Sequence, residues 1–184
     1  VGKQYKILGY GLNGFDIKKK TTIYAGNSGT FARLILGLLV KTDKVVKVTG
    51  DKSLSKRDFS RITEPLKKFG INIKSNSSSL PLEILGSEFL RPINYVEARG
   101  SAQCKSAVML AALNTPGVTK IKAAKSRDHT ERMFRYLKLP IKIKPMKNFD
   151  LIEVEGLKQF NAFNYIVPGD ISSSAFFIVL TILS

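Results

Sequence analysis

The hydrophobic pattern divides the chain into units that repeat. Residues 31–40 and 104–113 are both apolar at helical length, and each run is entered through small and polar residues. These are Gly26, Asn27, Ser28, Gly29 and Thr30 before the first, and Gly100, Ser101, Ala102 and Gln103 before the second. Beyond each apolar helix the pattern predicts the same succession: a short strand, a polar turn bearing an arginine, an amphipathic helix and two more strands. In the first copy these are strand 45–48, the turn from Gly50 to Arg57, helix 59–69, and strands 71–74 and 82–85. Gly70 follows that helix where a left-handed C-cap is needed. In the second copy, about seventy residues on, they are strand 118–123, turn 125–128, helix 130–139, and strands 141–143 and 151–155. Asp128 and Glu131 have the spacing of a capping box at the start of helix 130–139. A third opening begins at Pro168, Gly169, Asp170, Ile171 and Ser172.

Residues ahead of Gly26 read as the tail of a still earlier copy, with residues 4–8 as a strand. The last segment, 172–184, is apolar nearly all round, and such a helix has to be covered on most sides. Neither end carries the caps or partner elements that close a domain, so the chain is expected to be a piece of a longer one. The expected fold class is α/β of the mixed α+β kind with short strands. Pattern alone leaves the strand order open.

Composition adds limits. Hydrophobic residues make up 43% of the 184, ordinary for a globular protein and too high for a disordered one. No signal-peptide pattern opens the chain, and the longest apolar run, residues 175–180, is too short for a bilayer. One cysteine, Cys104, excludes an internal disulfide and fits a reducing compartment. With one histidine, His129, it offers no metal cluster. A soluble, cytoplasmic protein with no membrane partner, no metal and no cofactor is expected. The net charge of +16 points to an anionic partner, whether nucleic acid, membrane or metabolite. The lysines are scattered, however, with Lys18, Lys19 and Lys20 the densest run, and no aromatics interleave with arginines as single-strand binding requires. Charge gives the partner's sign and not its kind.

The helix openings carry the chemistry. A helix N-terminus offers unpaired N–H groups and the positive end of a dipole, which favour phosphate and carboxylate. The same residues also serve as ordinary N-caps. Their occurrence twice, each with an arginine turn downstream (Arg57 and Arg127), strengthens the anion reading, because a guanidinium fork binds carboxylate or phosphate bidentately. The structural alternative for Arg57 is a surface ion pair with Asp51 or Asp58. His129 at a helix start reads as structural, and Cys104 as a small core residue.

Five blocks resemble one family. The stretch from Asn27 to Leu34, with Gly37, Leu38 and Leu39, is similar to the glycine loop of the 5-enolpyruvylshikimate-3-phosphate synthase family. The blocks from Gly50 to Arg57, Ser101 to Ala107, Ser126 to Glu131 and Val167 to Asp170 also resemble it, in its order and spacing. The resemblance implies transfer of the enolpyruvyl group of phosphoenolpyruvate to the 5-hydroxyl of shikimate 3-phosphate, with release of phosphate. It implies a fold of two domains built from βαβαββ repeats, with the site between them. On that basis residues 1–166 would be a substrate-binding domain whose first repeat is incomplete, and 167–184 the crossover and first helix of a second. Gly29, Arg57 and Gln103 would contact phosphoenolpyruvate. Ser101, Ala102, Gln103, Ser126 and Arg127 would hold shikimate 3-phosphate, with Asn27, Thr30 and Arg33 in support.

The resemblance also implies that an amino-terminal Lys-Ser-x-Ser-x-Arg motif and a carboxy-terminal acid/base domain lie outside this sequence. The carboxylates near the blocks, Asp51, Asp58, Asp128, Glu131 and Asp170, read as caps and turn residues, and no acid/base pair is visible. Binding without turnover is therefore expected of these 184 residues. The enolpyruvyl transferase acting on UDP-N-acetylglucosamine is a related alternative, disfavoured because its cysteine-bearing loop is replaced by Lys52, Ser53, Leu54 and Ser55. A basic nucleic-acid-binding module is the alternative from another class; the leading reading expects no nucleic-acid partner.

Overall fold

The computed structural model describes residues 4–13, 15, 17–159 and 161–183. Two units of the same βαβαββ plan follow one another. The first comprises β1 (Thr21–Tyr24), α1 (Gly29–Leu38), β2 (Val46–Thr49), α2 (Ser60–Lys68), β3 (Asn72–Lys74) and β4 (Leu82–Leu85). The second comprises β5 (Asn94–Glu97), α3 (Ala102–Leu113), β6 (Val118–Ala124), α4 (His129–Tyr136), β7 (Ile141–Pro145) and β8 (Phe149–Glu155). A further helix, α5 (Ile171–Leu183), closes the described chain.

Each unit folds into its own four-stranded sheet, in the orders β1-β2-β4-β3 and β5-β6-β8-β7. The first pair in each sheet is parallel, with Thr21 beside Val46 and Asn94 beside Lys120; the other pairs are antiparallel. This mixture follows from chain length. A helix connects β1 to β2 and β5 to β6, as a parallel crossover requires, whereas β3–β4 and β7–β8 are joined by short turns.

Two sequence expectations change here. β1 pairs along its length with β2, so residues 21–24 belong to the first unit and not to an earlier copy. Four residues sharing two threonines give too short an alternation to be seen without the partner strand. Residues 4–8 form no strand, and Tyr5, Ile7 and Leu8 are exposed. Alternating polarity supplies no ladder unless a neighbour accepts its hydrogen bonds. The strand β5, not anticipated, ends at the buried Glu97. Gly70 has φ +103° at the end of α2, as the C-cap pattern predicted.

The inner sheet faces place Val46, Val48, Leu82 and Ile84 from one sheet, and Ile121, Ile152 and Val154 from the other, in a single apolar core. Against them lies α3, in which every residue from Cys104 to Leu113 except Leu110 is buried. α1 packs directly on α3: a Cβ at Gly37 would stand 2.3 Å from the carbonyl oxygen of Ala107. The missing side chain lets the two helix backbones approach. α2 and α4 are amphipathic and bury only one face. In α5 the described residues leave Phe176 and Phe177 exposed and bury none of its side chains. Its backbone hydrogen bonds are satisfied within the helix, but nothing among the described residues covers its apolar surface. No helix among the described residues is long and apolar enough to cross a membrane.

The Gly37 contact is with backbone, which cannot swing aside. Gly37→Ala should therefore lower stability by about 1–3 kcal/mol by forcing α1 from α3, read as a reduced urea midpoint with unchanged slope.

Candidate functional site

α1 and α3 begin at the same end of the molecule, and both are capped alike. Ser28 is extended (φ −80°, ψ 95°) and its Oγ accepts from the Phe31 N–H at 3.1 Å; Ser101 (φ −84°, ψ 105°) accepts from the Cys104 N–H at 3.3 Å. The two mouths are tied together. Gln103 donates from Nε2 to Thr30 Oγ1 (2.7 Å), and its Oε1 accepts from Arg33 Nη1 at 3.0 Å. Two N-terminal dipole ends thus sit side by side with a guanidinium between them.

Arg57 approaches from the turn after β2. That turn is built by Asp51, whose Oδ1 accepts from the Leu54 N–H (2.7 Å) and whose Oδ2 accepts from Asn27 Nδ2 (2.6 Å). One carboxylate thereby lashes the glycine loop before α1 to the turn that carries Arg57. These two hydrogen bonds hold the Asp51 carboxyl below the ordinary aspartate range, the backbone bond being the larger cause. The buried Leu54 anchors the turn, and the Arg57 N–H closes it on the Leu54 carbonyl (3.0 Å). At Gly29 the two arginines meet. A Cβ there would lie 2.8 Å from Arg33 Nη1 and 2.9 Å from Arg57 Nη1.

Among the described residues, Arg57 makes no ion pair with Asp51 or Asp58, so the surface-pair alternative is not realised. Asp58 instead accepts from the N–H and Oγ of Ser60 (2.8 and 2.6 Å) just ahead of α2, which lowers its pKa. Arg33 lies over the Phe59 ring, 5.0 Å from its centroid. Burial lowers its pKa most, and the charges of Arg57 and Arg61 add to that despite partial relief from Cys104 and Asp58. Guanidinium stays protonated regardless. The cluster is therefore a half-exposed cationic mouth.

The second arginine turn is joined to this mouth through α3. Lys105, two residues beyond Gln103 and 1% exposed, donates from Nζ to the Arg127 carbonyl oxygen at 3.1 Å and pairs with Glu131 Oε1 at 2.5 Å. Ser106 Oγ and Thr130 Oγ1 share a hydrogen bond of 2.6 Å beside them. The Arg127 residue is exposed, and Ser126 Oγ is buried with no hydrogen-bond partner among the described residues. Ala102, half-buried, opens α3 between Ser101 and Gln103.

The capping box expected at Asp128 and Glu131 does not form. Asp128 makes no cap hydrogen bond and accepts from Arg132 Nε at 2.9 Å, which lowers its pKa, while Glu131 turns inward to Lys105. An ammonium in a dry interior outcompetes a half-exposed backbone N–H for the carboxylate. Glu97, also buried, has a parallel role: it accepts from Arg61 Nη2 (2.6 Å) and from the Ser101 N–H (2.8 Å), fixing the α3 mouth to α2.

Sequence reasoning missed Lys105, Glu131 as its partner, Arg61 and Glu97. A lysine inside the apolar run 104–113 was the available signal, since a buried ammonium requires a partner.

Comparisons with known proteins match the chain to one group. The sequence model of the family EPSP synthase (3-phosphoshikimate 1-carboxyvinyltransferase) matches residues 3–184. The chain is 44% identical over 165 residues to the 3-phosphoshikimate 1-carboxyvinyltransferase of Endomicrobium trichonymphae, covering 89% of this chain and 37% of that protein. It is 45% identical over 179 residues to the one from Ruthia magnifica, covering 97% and 40%. The solved EPSP synthase of Acinetobacter baumannii superposes with a TM-score of 0.75 at 39% identity, over 86% of this chain and 36% of that one. The chain thus spans about two fifths of the relatives it matches.

Both side chains crowding Gly29 are flexible ends and not backbone. Gly29→Ala should leave the fold's stability within about 1 kcal/mol while displacing Arg33 and Arg57, so that affinity for inorganic phosphate, read by calorimetry, falls with little change in melting temperature. For Asp51, a lowered pKa means its contribution to loop stability is complete above about pH 4, the unfolded aspartate value. It is lost as pH falls through the folded value. Hydrogen exchange of the Leu54 amide, corrected for intrinsic rate, should be constant from about pH 7 to 5 and lose protection only below about 4.

Proposed function

Because the chain belongs to the EPSP synthase family, we propose that it carries the phosphate- and carboxylate-gripping part of an enolpyruvyl transferase. The reaction is transfer from phosphoenolpyruvate to the 5-hydroxyl of shikimate 3-phosphate, with release of phosphate, in aromatic amino acid biosynthesis. The observation that carries the reading is the Arg33–Gln103–Thr30 bridge joining two helix N-termini beneath an Arg57 free of carboxylate. Gly29, Arg57 and Gln103 would receive phosphoenolpyruvate; Ser101, Ala102, Gln103, Ser126 and Arg127 would hold shikimate 3-phosphate. Asn27, Thr30 and Arg33 support them through the hydrogen bonds described above. Residues 1–166 act as the substrate-binding domain and 167–184 lead towards a second, in a cytoplasmic enzyme that binds no nucleic acid.

Enolpyruvyl transfer requires a proton donor for the vinyl carbon and a base for the attacking hydroxyl. The carboxylates near this mouth are occupied in the structure: Asp51 by Asn27 and Leu54, Asp58 by Ser60, Glu97 by Arg61 and Ser101, Asp128 by Arg132, Glu131 by Lys105. Asp170 caps α5 through Ser172 and Ser173. On this reading the proton-transferring groups would lie outside these 184 residues, in the part of the family's length that the chain does not span, and closure of that part would exclude water.

Calorimetric titration of the 184-residue chain with shikimate 3-phosphate should show weak binding, and Arg127→Ala should weaken it by about ten- to a hundredfold, the loss of a charged hydrogen-bonding partner. No steady phosphate release should accompany addition of both substrates. A normal turnover rate would refute the division of labour. Binding of oligonucleotide that falls steeply with salt, without a response to shikimate 3-phosphate, would refute the substrate reading altogether.

A further inference from the structure

We infer that Lys105 is a positioning residue that clamps the Arg127 turn onto α3. Its Nζ donates to the main-chain carbonyl of Arg127 itself, at 3.1 Å, and its countercharge Glu131 stands in the first turn of α4, immediately after that loop. Both side chains are buried, at 1% and 5% exposure, so water does not compete for either. Lys105 and Gln103 lie two residues apart on one rigid helix. The clamp therefore sets where the Arg127 turn stands relative to Gln103. A loop held only by its ends could not maintain that register. The first unit achieves the equivalent task differently, with Asp51 bonding Asn27 and the Leu54 N–H, and its arginine carbonyl receives no comparable donor among the described residues.

A purely structural ion pair would matter for stability alone. Buried pairs can be replaced by apolar side chains of similar size with little cost, whereas removing one partner leaves a buried charge exposed to no solvent. The double variant Lys105→Met/Glu131→Leu therefore removes the clamp while preserving the core. Glu131→Gln does the opposite: Lys105 keeps its donor to the Arg127 carbonyl but loses its countercharge, so melting temperature should fall while the turn stays held.

The chain contains its own reference, because Arg57–Asp58 and Arg127–Asp128 are both Arg–Asp bonds in corresponding turns. Cleavage by an arginine-specific protease, followed by mass spectrometry as the ratio of the two bonds, reports the clamp directly. In the double variant the Arg127–Asp128 bond should be cut about tenfold faster relative to Arg57–Asp58, with the melting temperature within a few degrees of wild type; Glu131→Gln should keep the wild-type ratio. The affinity arm rests on the proposed substrate reading. There, the double variant should bind shikimate 3-phosphate about ten- to a hundredfold more weakly.

An unchanged cleavage ratio in the double variant overturns the clamp, as does a Glu131→Gln ratio as high as the double variant's. Faster cleavage with unaltered shikimate 3-phosphate affinity overturns the positioning role. Failure of the wild-type chain to bind shikimate 3-phosphate would count against the substrate reading, and the cleavage ratio would still decide the clamp.

Discussion

The side-by-side approach of α1 and α3 is the constraint on which the rest depends. Arg33 meets Gln103, and four residues later on each helix Gly37 meets Ala107. That common offset is the register of parallel helices, and it brings two N-termini to one end. Left alone, two positive dipole ends and two guanidinia repel one another. The apolar core beneath, formed by both sheets and the buried length of α3, holds them there. An anion at such a mouth would relieve a repulsion that packing has already imposed, which is the physical support for the proposed substrate reading.

The carboxylates explain why that repulsion survives. A guanidinium with a carboxylate in reach would be neutralised, and its affinity for phosphate reduced. Here each carboxylate near the mouth is committed elsewhere, to a backbone N–H, a hydroxyl, or a buried or surface cation. Glu97 and Glu131 are the clearest cases. Each lies buried and pairs with one cation; Glu97 also accepts from the Ser101 N–H at the α3 mouth, whereas Glu131 reaches the Arg127 turn through Lys105. Their value is in fixing geometry, since a buried ion pair is weak support for stability in itself.

Much of this was legible in the sequence because it is local. Small residues before an apolar run, a glycine after an amphipathic one and the spacing of two strand pairs all act within a few residues. Helices α1 to α4 and strands β2 to β4 and β6 to β8 accordingly fall where the pattern put them, with ends shifted by up to three residues. β1 and β5 were not legible: each is four residues long and defined by the partner it lies beside, far along the chain. The same holds within the site. Asn27, Thr30, Arg33, Arg57 and Gln103 could be named from the blocks, but their bridge spans some seventy positions and belongs to helix packing alone. Asp128 and Glu131 show the converse error. Their spacing satisfied a local rule, and a long-range partner, Lys105, outweighed it.

The net charge of +16 is a weaker guide than the five or six residues at the mouth. Lysines dominate it, and several face glutamates or aspartates across the outer sheet surfaces, as in Lys20–Glu83, Lys120–Glu153 and Lys125–Asp150. Exposed pairs of that kind contribute little to stability and are screened by salt. The basic residues in excess of such pairs raise the general attraction for anions without choosing among them. Selection needs donors fixed at set distances in a partly dry place, which is the situation of Arg33 over Phe59 and beneath Gln103 and not of the surface lysines. The sign of the charge is common to the whole molecule; the proposed selection among phosphorylated, carboxylated metabolites would rest on the fixed donors at the helix mouths.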